Sequence, residues 1–423
     1  MASKGDIVVG IDIGSAQVRT VIVQSFAEEE LPRVIGVGTA PSAGLRKGVI
    51  VDLEEAVKAV NESVESAERS SGVAVSSAVI SLGGNHIISQ SSKGVIAVGR
   101  ADGEVTEDDI ARVINAAQAI SVPANKEIVH IIPKNYSLDD QKNIKDPLGM
   151  NGVRLEVDAT IIEGSTPVIK NLTKCVEQAG IRIDDFVLAP LAAAKACLSK
   201  RQRELGVVLV DIGGGTTSIV VYEENDLLFT SILPIGGGHI TNDIAIGLRT
   251  SVDVAERVKI EYGNAMPQEI GKKEDINLAE IDSQEEGIVS RYHVAEIIEA
   301  RLEEIFNMVN KELKTIGRDK LLPAGVILTG GTAKLPGAVD LAKNILGLPA
   351  QTGFPSPLGG LVDKVDDPAF VTAVGLVLWG LDGVTGSRGG SSGFFGSKIG
   401  GNIGSSMGGT VDGMKKWLGK FLP

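Results

Sequence analysis

The stretch Val210-Asp211-Ile212-Gly213-Gly214-Gly215-Thr216-Thr217 closes a β-rich run that begins at Val207. A strand that ends in an acid and three glycines makes a tight turn. Without side chains, its backbone N–H groups can approach an anion closely and positive φ is allowed. The same order stands near the start, where Ile11-Asp12-Ile13-Gly14-Ser15 ends a run from Asp6. In each copy two further strand-like runs follow. They are Val18 to Phe26 and Arg33 to Thr39 in the first copy, and Ser218 to Tyr222 and Leu227 to Leu233 in the second. Strand, acid-glycine turn, strand, strand, written twice, is an internal repeat. It predicts a duplicated, two-lobed α/β fold. A third turn, Leu328-Thr329-Gly330-Gly331-Thr332-Ala333, follows a run from Gly325.

Glycine after a strand is usually only a turn. Two acid-glycine turns in repeated units, with a third beside them, point instead to a phosphate clamp. Ser15, Thr216 and Thr217 can donate further hydrogen bonds. Asp12 and Asp211 would repel phosphate directly, so they imply a hydrated Mg²⁺ between carboxylates and phosphates. The third turn carries no acid and suits the ribose and base.

The rest of the chain reads around this repeat. A helical pattern runs from Leu53 to Ser70, and Ala78 to Leu82 is a buried strand ended by Gly83-Gly84. From about His86 to Glu163 the texture changes. A strand pair is expected around Ile87 to Val98, then a helix from Glu107 to Ile120 with Thr106 as N-cap. Strands follow at Glu127 to Ile132 and Arg154 to Ile162, separated by a polar loop with Pro147 and Gly149. This is a small α+β module inserted in the first lobe. A helix from Pro167 to Ala179, a strand from Asp185 to Leu188 and a helix from Pro190 to Ser199 return to the main fold. Helices are expected at Thr241 to Leu248, Val252 to Tyr262 and Val294 to Leu313.

The resulting division assigns 1–85 and 166–200 to the first lobe, with 86–165 as the insert. Residues 201–240 and 314–350 form the second-lobe core, 241–313 its outer subdomain, and 351–382 a return to the first lobe. Residues 383–409 are a linker, more than half glycine and serine, with a reach of about 30 Å.

A net charge of −13 turns the body away from nucleic acid and leaves anionic lipid to a local basic patch. Cys175 and Cys197 cannot form a disulfide framework, which fits a reducing compartment. His86, His130, His239 and His293 lack metal-ligand spacing. The N-terminus has no signal-peptide pattern. The longest near-continuous apolar run, Phe370 to Leu381, is too short to span a bilayer. A cytoplasmic protein is expected.

Residues 410–423 change character. On a helix, Val411, Met414, Trp417, Leu418, Phe421 and Leu422 fall within an arc of roughly 140°. Lys415, Lys416 and Lys420 flank it or lie opposite. A Trp-bearing apolar face with lysines beside it suits an anionic membrane surface. Gly413 and Gly419 disfavour a helix in water, so the segment is expected to fold on the bilayer.

The ordered set of two phosphate turns and an adenosine turn resembles the actin, Hsp70 and sugar-kinase superfamily. The inserted module, the Gly236-Gly237-Gly238-His239-Ile240-Thr241-Asn242-Asp243-Ile244-Ala245 stretch and the linker with its amphipathic end narrow this. With them the chain resembles the FtsA family of bacterial cell-division proteins over nearly its whole length. The resemblance implies an actin-like, RNase H-like fold that binds ATP and Mg²⁺. Asp12, Gly14 and Ser15 would form the first phosphate loop, and Gly213, Gly214, Gly215 and Thr216 the second. Asp211 would face the metal, with Gly330, Gly331 and Thr332 along the adenosine. Glu256 and Lys259, three apart on one helix face, would meet ribose and base; an exposed ion pair is the plain alternative. The implied partners are FtsZ through its acidic C-terminal tail, further copies in a filament, anionic lipids and later division proteins. Arg301, on the helix from Val294, is the implied contact for FtsZ. Residues Leu188 to Ala196 contain no Gln or Glu to orient a water, which implies slow ATP turnover at most. Lys195 there could serve phosphate, though a solvated helix lysine is the simpler reading. Two rival branches are a sugar-kinase phosphotransferase and the pilus protein PilM, neither of which needs the linker and the amphipathic end.

Overall fold

A computed structural model describes residues 5–385, apart from 27, 28, 30 and 272. The expectations for 383–409 beyond Thr385, and all those for 410–423, lie outside the described residues.

Valine and isoleucine crowd the central strands because both faces of each sheet are covered. The Val207–Ile212 strand is buried almost throughout, as a strand flanked by other strands and covered by helices must be. The first sheet has six strands, in the spatial order Arg182–Leu188, Ser77–Leu82, Asp6–Ile13, Gln17–Ser25, Arg33–Pro41 and Gly359–Gly360. The second has five, in the order Ala350–Thr352, Val326–Thr329, Val207–Ile212, Thr217–Glu223 and Asp226–Leu233. Position by position the second sheet repeats the first. In both, the acid-bearing strand pairs parallel on one side and antiparallel on the other. The repeat reaches single residues: Asp12 stands opposite Arg19 and Asp211 opposite Ser218.

Two helices lie between the sheets. Ala189–Cys197 and Val371–Thr385 pack on each other, and Gly375 lets them touch. A Cβ there would stand 1.9 Å from the Ala192 carbonyl oxygen. One continuous apolar cluster takes in both helices, Val21 and Val23 of the first sheet, and Leu209 and Val220 of the second. The apolar run Phe370 to Leu381, too short to span a bilayer, is this central helix. It is apolar all round because it is buried between two layers.

The inserted module is a four-stranded antiparallel sheet, ordered Ile88–Ala97, Arg154–Ser165, Lys126–Leu138, Gln141–Ile144, covered by the Glu107–Ala117 helix. Two expectations are corrected here. The pair around Ile87 to Val98 is one long strand. Its Ser91-Ser92-Lys93-Gly94 stretch has turn composition, but Gly94 is there to admit the helix, since a Cβ would meet the Val113 oxygen at 2.0 Å. The polar loop after Ile132 is instead a continued strand to Leu138 and a hairpin return at Gln141–Ile144. The sequence reading also leaves out the Lys200–Leu205 and Ala338–Leu346 helices.

The module also reaches the second lobe. Ser89 Oγ donates to the Thr230 carbonyl at 3.1 Å, Lys134 Nζ to the Leu228 carbonyl at 3.3 Å, and Lys145 pairs with Asp226 at 2.5 Å. These contacts cover the open edge of the Asp226–Leu233 strand, which is otherwise a template for unwanted pairing.

Replacing Gly375 with alanine should separate the two central helices and lower stability by about 3 kcal/mol. Urea unfolding tests this, and a midpoint equal to the parent's contradicts the packing described.

Candidate nucleotide site

The two acid-glycine turns are built alike. Gly14 N–H donates to the Gln17 carbonyl at 3.2 Å, and Gly213 N–H to the Thr216 carbonyl at 2.9 Å. Each closes a tight step from strand to strand, over residues 14–16 in the first and 213–216 in the second, and leaves its aspartate next to the strand end. The turns then face each other across the neck between the lobes. A Cβ on Gly214 would lie 2.7 Å from that of Ala16, and one on Gly215 2.9 Å from that of Ser15. Glycine is required at 214 and 215 because the opposing turn occupies the space a side chain would need. Ser15 Oγ accepts from Gly48 N–H at 3.1 Å, so a backbone from a third segment also enters the neck.

Asp12 and Asp211 meet in this neck. Burial pushes both carboxyls above their ordinary range, and Arg19 opposes the rise at Asp12. Asp211 is pushed up to about 6 by burial and by the facing charge of Asp12. A cation beside these carboxylates would offset their mutual repulsion. Asp211 Oδ2 also accepts from Thr372 Oγ1 at 3.2 Å, which ties it to the first turn of the central helix. Among the described residues no group of three or more His, Cys, Asp or Glu could hold a metal ion. Two carboxylates therefore fit a hydrated ion whose other ligands come from phosphate and water.

The third turn completes the wall. Gly330 takes φ +85°, and a Cβ there would lie 2.3 Å from Asp211 Oδ1. Its N–H donates to the Pro368 carbonyl at 3.1 Å. Gly237, opening the Gly237–Leu248 helix, donates to the Gly213 carbonyl at 2.8 Å and sits against Thr332 Oγ1. Lys259 is buried, and its Nζ donates to the Gly237 carbonyl at 3.3 Å, Thr241 Oγ1 at 2.8 Å and Glu256 Oε2 at 2.5 Å. Glu256 and Lys259 do form an ion pair, but an unequal one: the lysine end is buried beside Gly237, while the Glu256 side chain keeps 43% of its surface exposed.

Two residues differ from their sequence reading, and Arg301 has partners within the chain. Thr217 is not a free donor, because its buried hydroxyl is bonded to the Ile235 carbonyl at 2.8 Å. Lys195 neither faces the phosphate turns nor stands free in water; it pairs with Asp382 of the central helix. Arg301 is held by a two-pronged bond to Asp243, at 2.6 and 2.9 Å, and by Glu304. Arg19 and Thr372 are the site neighbours that the motif reading misses. Arg19, its guanidinium 5.5 Å from the Phe370 ring centroid, is cross-strand from Asp12. Counting register across the first hairpin would have found it.

This geometry can be set beside known proteins. A family model described as "Cell division protein FtsA" matches residues 208–375, and one described as "SHS2 domain inserted in FTSA" matches residues 84–163. The cell division protein FtsA of Pseudomonas aeruginosa is 40% identical over 393 residues, covering 92% of this chain and 94% of that one. The chain belongs to the FtsA family of cell-division proteins. FtsA of Bacillus subtilis is 42% identical, covering 89% of this chain and 83% of its own, and FtsA of Escherichia coli K12 is 34% identical, covering 90% and 91%. Among solved structures, a PilM–PilN type IV pilus biogenesis complex has a TM-score of 0.64 at 18% identity, covering 88% of this chain and 98% of that one. MreB5 of Spiroplasma citri bound to ADP has a TM-score of 0.52 at 13% identity, covering 92% and 100%. At such identities these two likenesses show the actin-like fold alone.

The raised Asp211 has a definite sign. Its folded value, about 6, lies above the ordinary 3.8, so the folded state holds this proton more firmly. Its contribution to stability is present at low pH and is lost as pH rises from about 4 to about 6. Asp211→Asn should therefore raise ligand-free stability at pH 7 by on the order of 1 kcal/mol, while weakening Mg²⁺-nucleotide binding at least tenfold. Calorimetric melting and nucleotide titration on the same samples check both halves. An unchanged affinity removes Asp211 from the metal side.

Proposed function

We propose that this chain binds ATP with Mg²⁺ in the neck and tethers FtsZ filaments to the cytoplasmic face of the bacterial membrane through residues 410–423. The observation that supports the nucleotide half is the pair of facing acid-glycine turns. Their backbones approach where side chains would collide, and burial holds both carboxyls above their ordinary range despite Arg19. Asp12, Gly14 and Ser15 hold phosphate from one lobe, and Gly213, Gly214, Gly215 and Thr216 from the other. Asp12 and Asp211 face the ion through its water shell. Gly330, Gly331, Thr332, Glu256 and Lys259 take the ribose and base. The bound ion supplies positive charge between carboxylates and phosphates. No Gln or Glu lies on the helix that enters the neck, and Lys195 there is paired to Asp382. The nucleotide accordingly acts chiefly as a structural and switching ligand with slow turnover.

The tether half is supported by family membership and by the sequence of 410–423, with its apolar arc and three lysines. One such helix binds weakly, and filament formation multiplies the attachment. A two-lobed body polymerises head to tail, because a heterologous interface need not close. Arg301 is the proposed contact for the acidic FtsZ tail. Its guanidinium is already oriented by Asp243, whose place a partner's carboxylate takes. The inserted module is the proposed surface for neighbours and later division proteins.

Liposome co-sedimentation with ATP separates this reading from its rivals. The full chain should pellet with anionic vesicles and a chain ended after Gly409 should not; equal behaviour of the two removes the tether. Arg301→Ala should weaken binding of an acidic FtsZ tail peptide about tenfold, and unchanged binding by fluorescence anisotropy places the contact elsewhere.

A further inference from the structure

A groove of about 440 Å³ opens beside the third glycine turn, at the edge strand Ala350–Thr352 of the second sheet. Leu335, Val339, Phe354 and Pro368 form its apolar walls, and Asp366 and Asp367 stand on its rim. Neither Asp12 nor Asp211 lines it, nor does any residue from Gly330 to Thr332, nor Glu256 or Lys259. It lies outside the two phosphate turns and adjoins the third turn, whose Ala333, with Lys334 after it, lines the groove. Phe354 is 50% exposed, which leaves a large aromatic half in water. Asp367 pairs with Lys334 at 2.5 Å, and Asp366 is exposed beside it.

We propose that this groove docks the Thr410–Pro423 segment of the same chain, which keeps the apolar arc covered until a membrane competes for it. The docking rests on the reading of 410–423 as an amphipathic membrane helix. Chemistry, reach and need select this occupant over a free partner.

The side chains fit. A groove of this size takes one or two large side chains rather than a whole helix. Trp417 and Phe421, four apart, lie on one side of a helix and can enter together. Lys415, Lys416 and Lys420 then meet the acidic rim and a body of net charge −13.

The segment also reaches. The groove lies at the start of the central helix, next to Pro368, and that helix runs Val371–Thr385. Its far end is about 22 Å away at 1.5 Å per residue. The glycine-serine leash from there to Thr410 spans about 27 Å root-mean-square, which covers the return. Tethered at that length, the segment is present at the groove at an effective concentration of the order of 1 mM. Even weak docking is then populated.

Finally, the arc needs a cover. Six apolar side chains in a fourteen-residue segment form a patch that favours aggregation in water unless it is covered. A local groove covers it without a second protein.

The test uses dilute protein without lipid. Hydrogen exchange at residues 352–354 and at 366 and 367 should be slower in the full chain than in the chain ended after Gly409. In a Trp379→Phe background Trp417 is the sole tryptophan, and acrylamide should quench it at least threefold less than in the free 410–423 peptide. Phe354→Asp should abolish both forms of protection. It should also lower the concentration of anionic vesicles needed for half-maximal binding about fivefold, because the competing site is gone. Exchange identical in the two chains, or quenching equal to that of the peptide, overturns the docking. Protection that appears only as protein concentration rises assigns the groove to a second copy and also overturns it. Protection without vesicle binding by either chain sustains the docking and removes the membrane reading, so the two failures are distinct.

Discussion

Two aspartates that face each other across a narrow neck are the constraint on which the rest of this structure depends. Each sits at the end of a central strand, where the chain must turn at once, and glycine fills the second turn because the first occupies the space beside it. Bringing the turns together leaves Asp12 and Asp211 half-buried, and loss of water together with the charge of Asp12 lifts Asp211 to about 6. The protein thus holds an arrangement that is electrostatically unfavourable by itself. The lobes on either side hold that approach.

What fixes the lobes is apolar. The Val371–Thr385 and Ala189–Cys197 helices share one core with both sheets, so the lobes cannot slide past each other without opening that core. The start of the central helix is joined to the site by several bonds. Thr372 donates to Asp211, and the Pro368 carbonyl accepts from Gly330 and from Thr329. The inserted module adds a second tie at the outer edge, where Ser89, Lys134 and Lys145 hold the Asp226–Leu233 strand of the second sheet. A change in the neck is therefore mechanically connected to the Val371–Thr385 helix and to the module.

The polar network around Lys259 shows how a helix-spaced pair acquires a role. Glu256 and Lys259 could have formed a solvated pair with little energetic value. Instead the lysine is buried, bonded to Gly237 and Thr241, and it fixes one helix of the second lobe against another beside the third turn. Arg301 shows the same effect at the surface, where Asp243 orients it through two parallel bonds.

The duplicated hairpins, the three turns and most of the helices were legible in the sequence because their signals are local. Glycine and aspartate at a strand end, and apolar residues at a fixed period, report geometry within a few residues of themselves. The strand through Gly94 was not legible, because glycine there answers to a helix packed over it rather than to a turn. Nor was the use of Thr217, whose hydroxyl meets Ile235 eighteen residues on, or that of Lys195, whose partner Asp382 lies far along the chain. Arg19 was half legible: its register opposite Asp12 follows from the hairpin, but its place over Phe370 does not. Local sequence was enough to mark the three glycine turns at the strand ends. Which side chains meet there was settled by the packed fold, because burial, charge proximity and close approach are properties of contacts between distant segments.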